Sequence, residues 1–129
     1  MRDHRSLIAW QRAHFVVRAV LAASKDHWKP YAAAVLAQLQ RSSLSVQLNI
    51  AEGYAIGTSR RRCYHLVVAY GSAVETTELL DLSLEESLLP SALAGPALVQ
   101  SRETQALLLG LIKKYRSRDS RPPRQDPNP

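Results

Sequence analysis

Apolar residues recur along the first third of the chain at helical rather than strand spacing. Leu7, Trp10, Val17 and Leu21, widened by Ala13 and Val20, predict an amphipathic helix over 7–23, with the Ser6 hydroxyl as its N-cap. "SKDHWKP" interrupts it, because Pro30 disfavours helix at Lys29 and suits the first turn of a second helix over 31–52. That second segment carries Arg41 as its only charge before Glu52, so it reads as a helix buried on several sides. Gly53 and Gly57, followed by Thr58 and Ser59, predict a C-cap, a tight corner and a new N-cap. The third helix is expected over 59–88: Leu66, Ala69, Ala73, Thr76, Leu80 and Leu84 line one side, while Val68, Ser72, Glu75, Leu79 and Leu82 line another. Pro90, Gly95 and Pro96 end that region, and a fourth helix over 96–116 aligns Leu98, Leu108, Ile112 and Tyr115. No stretch alternates long enough with period two to argue for a strand. Short connections favour antiparallel neighbours, so the pattern predicts an all-α, antiparallel up-down-up-down four-helix bundle over 1–116. "SRDSRPPRQDPNP" at 117–129 has no apolar anchor and predicts a disordered, basic C-terminal tail. No internal repeat is present.

Size and charge refine this picture. A chain of 129 residues suits one domain with its own core. Cys63 stands alone, and the N-terminal residues lack the features of a secretory signal, which together imply a cytoplasmic protein. No apolar run approaches the ~20 residues of a membrane span, so no membrane partner is expected. The formal net charge of +6 and pI near 9.9 favour a polyanionic partner, since clustered cations gain free energy by releasing counterions from phosphates. The charge is polarised: cations gather at 60–62 and 113–124, whereas Asp81, Glu85 and Glu86 make the end of the third helix acidic.

The most unusual stretch is "SVQLNIAEGY" at 45–54, which places an amide and a carboxylate on the least charged segment. Helical geometry aligns Ser42, Ser45, Asn49 and Glu52 on one face, and Ser72 and Glu75 form a similar pair beside Gly71 on the third helix. A glycine inside a helix costs roughly 1 kcal/mol relative to alanine, which suggests close approach of another helix or of a capping side chain at Gly71. Buried polar groups need partners, so Ser45, Asn49, Glu52, Gly53, Gly71, Ser72 and Glu75 are read as a structural polar motif, joining two helices or two subunits. Solvent exposure with capping of the corner at Gly53 and a catalytic carboxylate pair are the alternatives.

Two basic clusters are candidate nucleic-acid contacts. Arg60, Arg61 and Arg62 fan over a helical turn, where they suit a phosphate-rich surface; at a helix N-terminus they oppose the macrodipole, so stability alone does not favour them. Lys113, Lys114 and Arg116 surround Tyr115 and offer phosphate contact with stacking, although cations are also favourable at a helix C-terminus. His4, His14, His27, His65 and Cys63 show no paired metal-ligand spacing, and neither a phosphate loop nor a nucleophile triad is recognisable. No catalytic residue, metal or cofactor is therefore expected, and the chain reads as a non-enzyme.

"LIAWQRA" at 7–13, "LAQLQRSSLSVQLNIAEG" at 36–53 and "GSAVE" at 71–75, in this order and spacing, resemble the four-helix-bundle family of the 23S rRNA-intervening sequence protein. The most specific part is Ser45, Asn49, Ile50, Ala51, Glu52 and Gly53, followed by Gly71, Ser72 and Glu75. The chain departs from the family pattern at Gln47, in "WKPY" at 28–31, and at Leu66 and Val67 where an aromatic is usual. The resemblance implies a small bacterial bundle that assembles as a homopentamer. One branch of the family is the accessory protein of diversity-generating retroelements, which binds nucleic acid and a reverse transcriptase. The expected function is thus an oligomeric scaffold with a basic surface for RNA or DNA and a protein partner such as a reverse transcriptase. A purely protein-interacting or structural bundle is the alternative.

Overall fold

The computed structural model describes residues 3–55 and 57–119. Four helices follow one another: α1 (Ile8–Asp26), α2 (Ala33–Ala55), α3 (Ser59–Glu85) and α4 (Ser91–Asp119), with 3-10 turns at His4–Ser6 and Pro30–Ala32. One apolar core joins the start of α1 (Ala9, Trp10, Ala13), the end of α2 (Val46, Ile50), the start of α3 (Leu66, Ala69, Ala73) and the end of α4 (Leu108, Ile112, Tyr115). A second joins the complementary halves through Val16, Val20, Leu36, Leu39, Leu80 and Leu98. Successive helices therefore run in opposite directions. Each packs on two others, α1 on α2 and α4, and α3 on α2 and α4, which makes the bundle four-cornered.

A belt of buried hydroxyls separates the two cores. Ser42, Ser43, Thr76, Thr77, Ser101 and Thr104 are all buried. Thr76 bonds the Ser42 hydroxyl at 2.8 Å, and the Thr77 and Ser101 hydroxyls meet at 2.8 Å. Such pairing is what allows polar groups into a core at little net cost. The belt surrounds a cavity of about 10 Å³, room for one water at most.

Several sequence expectations shift at the element ends. Ser6 is not the cap of α1: that role falls to Leu7 in extended conformation, with no side-chain cap bond, while the Ser6 hydroxyl bonds the Asp3 carbonyl at 2.7 Å. Leu21, expected in the core stripe, is 47% exposed, and Val16, outside that stripe, is buried beside the expected Val20. Pro30 opens a 3-10 turn, and regular α2 begins after it. Thr58 caps α3, accepting from the Arg61 N–H at 3.4 Å. α3 stops at Glu85, short of 88, because Ser87 adopts a left-handed φ of 52° and the Leu88 N–H turns back to the Ser83 carbonyl at 2.8 Å. α4 starts five residues before Pro96, which it tolerates inside its N-terminal part on the exposed side. It also runs through 117–119, which the sequence assigns to the tail. The rest of that tail, 120–129, lies outside the described residues. Among the described residues no helix is long and apolar enough to cross a membrane.

Candidate nucleic-acid interface and the polar seam

The small polar face of α2 meets α3 along one seam. The Ser45 and Ser72 hydroxyls lie 2.7 Å apart, and the Asn49 amide donates to the Ser45 carbonyl at 2.9 Å and to its hydroxyl at 3.2 Å. The Asn49 Oδ1 in turn bonds the His65 ring at 3.0 Å. Glu52 lies 3.5 Å from the same ring nitrogen, and at the other end of the seam Gln38 donates to Glu75 at 2.6 Å. Asn49, Glu52, Ser72 and Glu75 thus all belong to the α2–α3 contact, but they meet through Ser45, His65 and Gln38 rather than directly.

The two glycines have roles other than those their sequence positions suggest. Gly53 does not end α2, which continues to Ala55; it is buried, and a Cβ there would come within 3.1 Å of the His65 Cβ and 3.4 Å of the Arg62 carbonyl oxygen. It is the point of closest approach between the helices. Gly71, by contrast, faces open space, with nothing within 4 Å of a built Cβ, so no helix of the same chain approaches it.

The basic residues gather at the end of the bundle that holds the start of α3 and the end of α4. Arg60 and Arg61 are exposed, as are Lys113, Lys114 and Arg116. Arg62 turns inward. Its Nε donates to the Gly53 carbonyl at 3.3 Å and its Nη1 to the Tyr115 hydroxyl at 3.4 Å, while the guanidinium carbon lies 4.5 Å from the Tyr54 ring centre and 5.2 Å from that of Tyr115. The Tyr54 and Tyr115 hydroxyls are 3.2 Å apart. Burial, then the bond with Tyr115, pushes the Tyr54 phenol well above its ordinary range. Burial also pulls Tyr115 upward, but hydrogen bonds from Tyr54 and Arg62 and the Arg62 and Lys114 charges outweigh it and bring Tyr115 below the usual value. Arg118 lies over Tyr115 as well, at 5.3 Å, extending the cluster. Arg62 is therefore a clamp between α2, α3 and α4, and Arg60 and Arg61 project beyond it.

A family model described as 23S rRNA-intervening sequence protein matches residues 5–110. The chain belongs to this family. No curated protein matches it. The matched span contains the whole α2–α3 seam and Arg60–Arg62, and it ends before Lys113, Lys114 and Arg116. Within this member of the 23S rRNA-intervening sequence protein family, Glu75 and Glu78 are both exposed, and among the described residues no group of His, Cys, Asp and Glu could hold a metal ion.

Sequence reasoning passed over His65, Gln38 and the Arg62–Tyr54–Tyr115 cluster. His65 stands seven residues before Ser72, so helical spacing already placed it on the seam face; its neighbours in "RRRCYH" drew attention to charge instead. The tyrosine cluster joins residues 61 apart in the chain, and no local pattern reports it.

Proposed function

We propose that this chain is a non-enzymatic helical scaffold that assembles with copies of itself, as a homopentamer, and engages the phosphates of RNA or DNA through its basic end. The observation that carries the nucleic-acid reading is that two distant clusters share one end of the bundle: the Arg62–Tyr115 contact ties the start of α3, with exposed Arg60 and Arg61, to the end of α4, with exposed Lys113, Lys114 and Arg116. Arginines in the first turn of α3 gain little from the fold itself, yet a phosphate there meets both their charge and the helix N-terminus. The pentamer and a protein partner such as a reverse transcriptase rest on the family resemblance, and the lone Cys63 supports a cytoplasmic setting.

Binding to a short RNA or DNA duplex, followed by fluorescence anisotropy across a salt series, tests this. Affinity is expected to fall steeply with salt, with a slope near −0.9 per neutralised phosphate for duplex DNA. Replacing Arg60, Arg61, Lys113 and Lys114 by alanine is expected to flatten the slope by about 2–4. A slope left unchanged removes this surface from the function. The alternative, a bundle that only binds protein, draws on the exposed Ile8, Leu48, Val67 and Val99. It predicts no salt-dependent nucleic-acid binding.

A further inference from the structure

An exposed aromatic ring stands among the arginines of the basic end. Tyr64 is 66% exposed and follows the exposed Arg60 and Arg61 by four and three residues, so it shares their face of α3, its Cβ about 5–6 Å from theirs. The other exposed large aromatics among the described residues lie elsewhere: Phe15 is midway along α1, and Trp28 and Tyr31 are at the opposite end of the bundle. The Tyr64 ring is also braced. It meets the His65 ring at 77° with 5.4 Å between centres, and the His65 nitrogen is itself held by the Asn49 Oδ1 at 3.0 Å. An edge-to-face contact occupies at most one face of Tyr64, so the other is open.

We infer that Tyr64 stacks on an unpaired base of a single-stranded nucleic acid whose phosphates lie over Arg60 and Arg61, which deepens the nucleic-acid reading and rests on it. Arginines alone suit any polyanion. A flat ring one turn beyond them gains only from a base whose face is free, and in a duplex the neighbouring pairs cover that face. Two carboxylates share this end, Glu52 and Asp3, but they sit 3.5 and 3.2 Å from the ring nitrogens of His65 and His4, and the exposed cations of α3 and α4 outnumber them. The bracing adds to the fit, because a ring already held in place loses less rotamer freedom when a ligand settles on it. The polar seam thereby serves more than the packing of α2 on α3: Asn49 holds His65, and His65 steadies the stacking ring.

Tyr64→Ala and Tyr64→Phe test this by fluorescence anisotropy against a single strand of about 12 nucleotides, in ribo- and deoxyribo- form, and against a duplex long enough that its ends are a small share of its sites. The position is exposed and neither replacement alters charge, so both variants are expected to keep the helix content of the parent by circular dichroism and its sedimenting mass. Tyr64→Ala is expected to weaken binding to both single strands by about 5–150-fold, to change duplex binding by less than about twofold and to leave the salt slope as it was. Tyr64→Phe keeps the ring and is expected to bind within about threefold of the parent. An alanine variant that binds the single strands like the parent, or that loses duplex binding equally, overturns the stacking assignment while the basic end stands on its salt dependence. A loss on one strand chemistry but not the other overturns base stacking as its cause. A changed sedimenting mass does so too, because it places Tyr64 at a contact between copies. A parent chain that binds neither strand nor duplex overturns the nucleic-acid reading together with this one.

Discussion

Two glycines of the specific motif have opposite surroundings, and the same substitution is expected to act on them with opposite sign. At Gly53 an alanine Cβ would press on the His65 Cβ at 3.1 Å, and the Arg62 carbonyl is close behind. Overpacking of this kind costs about 1–3 kcal/mol, against which better helix propensity returns about 1. Gly53→Ala is therefore expected to lower stability by about 1 kcal/mol, and Gly71→Ala, with open space around it, to raise it by about 0.5–1 kcal/mol. Urea unfolding at equal protein concentration separates the two. The tyrosine pair gives a second residue-level test. Tyr115, shifted down, is expected to ionise ahead of an ordinary tyrosine, and Tyr54, shifted up, long after it, as followed by phenolate absorbance. Tyr115→Phe is expected to remove the early step. The linkage runs in two directions. The raised Tyr54 contributes stability that is complete below the unfolded value near 10 and is lost as pH climbs beyond it, whereas the lowered Tyr115 contributes stability that is complete above that value and is lost as pH falls through its folded pKa.

At the scale of the element, the seam between α2 and α3 changes which polar residue of the motif matters most. Glu52 is 60% exposed and its contact with His65 is 3.5 Å long, so its removal is expected to change the stability of the subunit by less than about 0.5 kcal/mol. Asn49 bonds Ser45 on its own helix and His65 on the next, and the His65 side chain is only 13% exposed. Asn49→Ala leaves that ring nitrogen only its longer, 3.5 Å contact with Glu52 and is expected to cost about 1–3 kcal/mol, measured by the same urea titration. Helical spacing was enough to place Ser45, Asn49 and Ser72 on facing stripes, because which face a residue occupies is a local property. It could not show that Glu52 lies at the rim, since exposure depends on where α3 crosses. The helix ends were hidden for a similar reason: nothing in "LEESLLP" marks Ser87 rather than a glycine as the residue that takes the left-handed turn.

For the whole molecule, the antiparallel order of four helices was legible because four apolar stripes and three short connections leave few other packings. Its consequence for charge was not. Folding back and forth places the end of α4 beside the start of α3, so clusters separated by about fifty residues share one end, while Glu85 and Glu86 lie at the other. The segment 120–129 adds Arg121, Arg124 and Asp126, a further net charge of +1 attached to that same basic end. Under the nucleic-acid reading proposed above, these charges add to the electrostatic attraction of a polyanion. Deleting 120–129 is accordingly expected to leave the unfolding midpoint and the sedimenting mass unchanged and to reduce the salt slope for duplex binding by about 1–2. The quadruple substitution of Arg60, Arg61, Lys113 and Lys114 acts on the folded surface and is expected to take away more. A deletion that abolishes binding outright, with the bundle intact, would move the proposed phosphate contacts from the folded end to 120–129.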